Sequence, residues 1–133
     1  MTEAIQQSVE FEASPATLFE MYVDSRKHSN ATGAPAKVSR KAGAVFTAFD
    51  GALRGKNLLV VRNKMIVQAW RSSAFKKTDA DSILVLTFSK TPSGTRVDLV
   101  HVNVPEQDHR GVTEGWTKYY WDPWRAYLAK KGR

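Results

Sequence analysis

Three features of the 133-residue sequence predict an α+β fold in which a curved antiparallel sheet wraps around one long helix. The first is period-two apolar alternation from Ala36 to Val104, cut by short turn signals. The second is the segment from Gly111 to Gly132, whose apolar residues recur at helical spacing. The third is the order of elements: one strand, two short helices, six strands, one long helix. About seven strands and a single domain over residues 1–133 are expected, with no repeat, low-complexity tract or linker to divide it.

Residues 3–12 alternate loosely, with Ile5, Val9 and Phe11 apolar, as a half-buried strand does. Ser14-Pro15 starts a helix, serine as the N-cap and proline in the first turn, where its missing N–H costs nothing. That helix runs to about Asp24, with Leu18, Phe19, Tyr22 and Val23 as its buried stripe. A second spans Arg26 to Thr32, and Gly33 ends it. Strands follow at 36–41, 44–50, 52–61, 64–73, 82–90 and 95–104. The separators are Ala42-Gly43, Asp50-Gly51, Arg62-Asn63, Lys77 to Asp81 and Pro92-Ser93-Gly94. Such short connections join antiparallel neighbours, so the strands form a meander. Pro105 to Arg110 leads into the final helix, with Asp108 as its expected N-cap.

The final helix holds six of the fourteen aromatic residues, three of the four tryptophans among them. Val112, Trp116, Tyr119, Tyr120, Pro123, Trp124 and Tyr127 fall within an arc of about 140° at 100° per residue. A face so broad must lie on a wide apolar surface, and the meander supplies one. Pro123 removes the bond to the Tyr119 carbonyl and crowds it, so a kink is expected there. The kink either lets the helix follow the sheet or opens the helix–sheet space at one end.

Strand parity selects the sheet face turned to the helix. It carries Phe46 and Ala48; Leu53, Gly55, Asn57 and Leu59; Ile66, Gln68 and Trp70; Leu84, Leu86 and Phe88; and Val97, Leu99 and His101. A twisted sheet curling over one helix leaves space beneath it. Apolar walls with a few convergent polar groups are the usual form of a small-molecule site. The candidate ligand-binding residues are therefore Phe46, Leu53, Asn57, Ile66, Gln68, Trp70, Leu84, Leu86, Phe88, Val97, Leu99 and His101 from the sheet, with Trp116, Tyr119, Tyr120 and Trp124 from the helix. Asn57 and Gln68 must pair with each other, with water or with a ligand. The competing outcome is a core that the tryptophans simply fill. His101 either bonds a neighbour in the core, near Trp116 or Tyr120, or orients a ligand or serves as a general base. His28 and His109 fall in segments expected to be exposed.

Composition excludes several classes. There is no cysteine, hence no disulfide, thiol chemistry or cysteine-bound zinc. No GxSxG and no glycine loop ahead of a helix is present, and no metal site or cofactor is expected. No apolar run is long enough to span a membrane, and the N-terminus is no secretion signal, so a soluble cytoplasmic protein is expected. The net charge of +7 points to acidic partners. Its cations look scattered (Arg40 and Lys41, Arg54 and Lys56, Arg62 and Lys64, Lys76 and Lys77, Lys130, Lys131 and Arg133), and no nucleic-acid motif accompanies them.

The segments ASPATLFEMYVD, GAPAKVSRKAGAVFTAFDGALRGKNLLV, IVQAWR, GTRVDLVHVNVP and GWTKYYWDPWRAYL together resemble the activator of heat shock protein 90 ATPase homologue family, within the START-like, birch-pollen-allergen-like superfamily. The resemblance covers nearly the whole chain. The spacing of FDG, Gly55, Trp70 and GWxxYYW carries it, with Ala44 standing where a second glycine is common. It implies a helix-grip fold with a cavity between sheet and helix. The superfamily includes lipid and hormone binders, cyclases and chaperone regulators, so the fold alone does not choose a function. Three readings stand on the sequence. The first is a non-enzymatic binding protein for a small hydrophobic or aromatic molecule. The second is an interaction module regulating a chaperone ATPase through its basic surface. The third is an enzyme acting on a cavity-bound ring compound, with His101 or a tyrosine moving the proton. Neither nucleic acid nor membrane is an expected partner, and either a monomer or a homodimer fits.

Overall fold

The computed structural model describes residues 2–131, so Gly132, the last residue of the expected helical segment, and Arg133 after it lie outside the described residues. Strand β1 (Ile5–Phe11) leads to α1 (Pro15–Val23) and α2 (Ser25–Thr32). The Ser14 hydroxyl accepts from the Thr17 N–H at 3.1 Å and caps α1, as its sequence requires. Asp24 caps α2 in the same way through Lys27, and Gly33 closes it at a left-handed φ of 81°. The meander is β2 (Val45–Ala48), β3 (Leu53–Val61), β4 (Met65–Ser72), β5 (Ser82–Thr91) and β6 (Gly94–Val102). Together with β1 these form one antiparallel sheet in the order β1-β6-β5-β4-β3-β2. The final helix runs as α3 (Glu106–Trp116), a π turn (Thr117–Trp121) and α4 (Asp122–Lys131).

The sheet has six strands because residues 36–41 make only a single bridge, Lys37 to Thr47. Past Lys37 the Ser25 hydroxyl of α2 takes both backbone groups of Val38, at 2.9 and 3.1 Å, in place of a strand ladder. The cap of α3 is Pro105, and Asp108 lies in the first turn, where its N–H donates to the Pro105 carbonyl at 2.9 Å. There its carboxylate, with that of Glu106, still faces the positive end of the helix.

The expected inner face is the buried one, with one correction. A bulge between Asn57 and Leu59 inserts Leu58 and reverses parity, so Leu59 is 46 % exposed and Val60 turns to the core. Gly55 pairs with Trp70 where no side chain fits. A Cβ there would stand 1.8 Å from the Ala69 carbonyl oxygen and 2.8 Å from the Phe46 ring. Gly55→Ala is expected to cost about 3 kcal/mol by forcing the β3–β4 ladder apart. A urea titration measures this.

Pro123 acts through the turn before it. The Asp122 N–H reaches back to the Thr117 carbonyl, an i to i−5 bond, so the strain of proline is absorbed as a π turn. The extra residue rotates everything beyond it back by about 100°. On an unbroken α-helix Trp121 would point about 140° away from Trp116. Here both are buried and stacked, with ring centroids 5.7 Å apart and planes at 22°. The kink expected at proline thus becomes a device that adds a third tryptophan to the face formed by Trp116 and Trp124.

Candidate functional site

Most of the helix–sheet space is filled by side chains. Phe46, Ile66, Leu84, Leu86, Phe88, Val97, Leu99 and Trp124 close the core with α1, and none of them reaches an opening. Asn57 and Gln68 are satisfied inside the protein. Gln68 donates to the Asn57 side-chain oxygen at 2.9 Å and accepts from the Tyr22 hydroxyl at 2.9 Å. The Asn57 amide donates to the carbonyls of Ser39 and Lys41. They anchor the loop after α2, a task the sequence did not separate from ligand binding.

His101 is fully buried, between Ser82 and Trp116. The Trp116 indole N–H donates to His101 Nδ1 at 3.2 Å, and His101 Nε2 donates to the Ser82 hydroxyl at 2.8 Å, which donates to the Trp70 carbonyl at 2.6 Å. This relay requires a neutral ring with its proton on Nε2. Burial, then the charge of His109, pull its pKa down to about 3. Both nitrogens are engaged, so the ring has neither an open lone pair nor access to the cavity. His28, expected on the surface, is also buried: its Nδ1–H donates to the Tyr22 carbonyl and its Nε2 accepts from the Tyr120 hydroxyl. Burial lowers its pKa too, only partly opposed by the Tyr22 carbonyl. His109 is partly buried and bonds the Glu3 carbonyl.

The part of the helix–sheet space that stays open is a groove of about 490 Å³ at one end of the sheet, between α3 with the π turn and the β2–β3 and β4–β5 connections. Five expected site residues line it: Leu53, Trp70, Trp116, Tyr119 and Tyr120. Phe49, Ala52, Ser72, Ala74, Gln107, Asp108, Gly111, Val112 and Gly115 complete the lining. Its walls are mostly apolar, and Tyr119 is half exposed beside it. Phe49 holds a φ of 51°, which a bulky residue rarely adopts, and packs edge-on against Tyr119 and Tyr120 at 5.7 and 5.5 Å. Gly111 and Gly115, one turn apart in α3, leave the helix wall bare. A Cβ on Gly111 meets nothing within 4 Å, and one on Gly115 meets only the Tyr119 ring. Each glycine costs the helix about 1 kcal/mol relative to alanine.

The indoles divide into two kinds. Trp116 and Trp121 are held by directed bonds, to His101 and to the Gln7 side chain at 2.8 Å. Trp70 and Trp124 have buried N–H groups without a partner among the described residues and are held by packing. Gln7 also donates to the Thr113 carbonyl, tying β1 to α3. Among the described residues no three His, Asp or Glu side chains gather to hold a metal, and no helix is long and apolar enough to cross a membrane.

One antiparallel sheet closed over a long C-terminal helix, with an open end lined by aromatics, defines a helix-grip protein of the START-like class. The profile of the family described as Activator of Hsp90 ATPase homolog 1-like protein matches residues 12–129, and the chain belongs to that family. It is 25% identical over 118 residues to the Activator of 90 kDa heat shock protein ATPase homolog of Dictyostelium discoideum, covering 88% of this chain and 30% of that protein. It is 26% identical over 112 residues to the human Activator of 90 kDa heat shock protein ATPase homolog 1, covering 84% and 33%. The chain thus spans about a third of the length of the curated relatives it matches. Among solved structures, an HSP90 activator from Plasmodium falciparum superposes with a TM-score of 0.84 at 21% identity, covering 95% of this chain and 96% of that one. The Aha1 dimer from Colwellia psychrerythraea superposes at 0.77 with 13% identity, covering 91% and 92%. These two likenesses establish the fold.

Proposed function

We propose that the protein is a non-enzymatic binding protein that holds a small, flat apolar or aromatic molecule in the groove between α3 and the β2–β3 turn. The observation that carries this reading is the pair Gly111 and Gly115. Two glycines one turn apart weaken a helix, and here the space their missing side chains leave is the groove itself. Trp70, Trp116, Tyr119 and Tyr120 offer ring faces and edges to a planar guest. Groove and guest have matching scale, since small-molecule sites usually enclose about 300–1,000 Å³.

Gly111→Leu is the direct test, because the new side chain enters open space and leaves the backbone as it is. Stability should hold or rise by about 1 kcal/mol as helix propensity improves. Affinity for 1-anilinonaphthalene-8-sulfonate, an aromatic probe followed by its fluorescence, should fall at least about tenfold, a loss of 1.4 kcal/mol. Native mass spectrometry of the protein from its own host, before and after denaturation, identifies a resident guest. Unchanged probe binding in Gly111→Leu, with nothing released, would sink the groove reading.

A second reading rests on kinship. Curated relatives bear the name of activators of the 90 kDa heat shock protein ATPase, so regulation of a chaperone through protein contacts is the alternative. That reading predicts a response to reversal of surface charge and none to filling the groove.

A further inference from the structure

The charge that looks scattered along the chain is gathered by the fold. Residues 37–64 contain seven lysines and arginines and one acid, Asp50, so they carry +6 of the net +7. All seven cations are exposed. Arg40 pairs with Glu20. Lys37, Lys41, Arg54, Lys56, Arg62 and Lys64 have no carboxylate within ion-pair distance among the described residues.

Lys41, Lys56, Arg62 and Lys64 flank an unfinished sheet edge, while Lys37 and Arg54 lie along the part that β2 completes. Strand β2 covers β3 only from Leu53 to Lys56, and the last edge contacts are the bonds between Asn57 and the backbone of Gly43 and Ala44. Gly43, at a φ of 85°, turns the chain away there. Past the bulged Leu58, Leu59 to Val61 pair with β4 on one side and, among the described residues, with no strand on the other. The same stretch is unusually apolar for a surface: Leu58, Leu59 and Val61 are 48 %, 46 % and 39 % exposed, and Val45 beside it is 76 % exposed. The opposite edge differs. On β1 and just before it, the carbonyls of Glu10 and Glu3 are taken by Arg125 and His109.

We propose that the free half of β3, Leu58 to Val61, takes an extended acidic segment of another protein as an added strand. An incoming strand would satisfy the edge backbone, lay alternate apolar side chains beside Leu59 and Val61, and turn its carboxylates to the other face, where the turn cations Arg62 and Lys64 can meet them. The cations also choose the guest. A second copy pairing edge to edge would bring like charges together, which costs affinity. Nucleic acid finds no exposed aromatic ring on this edge to stack on. An unpaired strand edge cannot enter a lipid phase without burying unsatisfied backbone groups. This surface is separate from the groove and does not depend on it.

The experiment uses isotopically labelled full-length protein and a capped peptide of about ten alternating valine and glutamate residues, a typical strand length. Binding with a Kd below about 1 mM is expected, with slowed amide exchange at Leu58 to Val61 and weakening as salt is raised. The double variant Arg62→Glu, Lys64→Glu should bind at least about tenfold more weakly with an unchanged circular dichroism spectrum, while Gly111→Leu should bind normally. Any of four results overturns the proposal: no binding at about 1 mM; protection elsewhere than the β3 edge; equal binding by an alternating valine and lysine peptide; or edge protection that rises with protein concentration alone. Full displacement by single-stranded DNA or by anionic phosphatidylserine vesicles would likewise assign the patch to those ligands instead.

Discussion

Acidification to pH 5 is expected to destabilise the fold markedly, before most carboxylates titrate, because two histidines are buried in neutral form. His101 is held at a pKa of about 3 by burial and by the charge of His109. The unfolded chain binds that proton near pH 6.5, so below this value the unfolded state gains protons that the folded state refuses. Stability is therefore full above about pH 6.5 and falls with pH; His101 alone removes about 2 kcal/mol by pH 5 and about 3 kcal/mol by pH 4. His28 acts in the same direction, since burial lowers its pKa as well. Against a typical total of about 5–15 kcal/mol, this is a large share. Urea titrations at pH 7 and pH 5 measure the loss, and the nitrogen shifts of His101 report its titration directly. Equal stability at the two values, or His101 titrating near 6.5 in the native state, would refute the relay of Trp116, His101 and Ser82. His101→Gln should be less stable at pH 7 and should flatten the acid limb.

The fold was legible because its determinants are local. Ser14-Pro15, Gly33, the period-two runs and the turn residues each fix an element by themselves, and the meander order follows from short connections. The missing strand at 36–41 was not legible: nothing in its own residues reveals that the Ser25 hydroxyl, thirteen positions before Val38, takes its backbone bonds. The bulge at Leu58 was hidden in an apolar run where either parity reads equally well, which is why Leu59 was placed inside. His28 looked exposed in a polar helix, because its burial depends on Tyr22 and Tyr120 packing around it.

For the candidate site, strand parity found the buried face but could not tell a filled core from an open one. That distinction depends on how far α3 stands from the sheet, and Leu86 illustrates it. The residue faces the helix side as expected yet is fully enclosed, so Leu86→Trp would overpack a core rather than fill a groove. The open end was marked by a quieter signal, two glycines four apart in a helix otherwise crowded with aromatics. The charge cluster is of the same kind. Seven cations spread over twenty-eight residues converge only once β2, β3 and the loop before them are folded together.

Trp116 joins these two halves, and its removal should have the largest effect of any single substitution at the site. The side chain is buried, packs on Tyr120 at 4.8 Å, on Trp121 at 5.7 Å and on Trp70 at 6.1 Å, and forms one wall of the groove. Trp116→Ala should cost about 3–5 kcal/mol for the lost packing, and about 1–3 kcal/mol more because His101 Nδ1 loses its donor. Trp116→Phe separates the contributions: the ring largely remains, the N–H is gone, and the loss should be nearer the second figure. With its Nδ1 lone pair released, His101 should also titrate closer to 6.5 in both variants, and the acid limb should become shallower. A Trp116→Phe protein as stable as the parent, with His101 unmoved, would mean that the indole bond does not hold the ring neutral. Probe binding adds the functional half. Trp116→Ala disturbs core and groove together, so its loss of affinity has two explanations. Gly111→Leu touches the groove alone, so weaker binding there combined with near-normal binding in Trp116→Phe would assign recognition to the shape of the groove and leave the His101 relay a structural task.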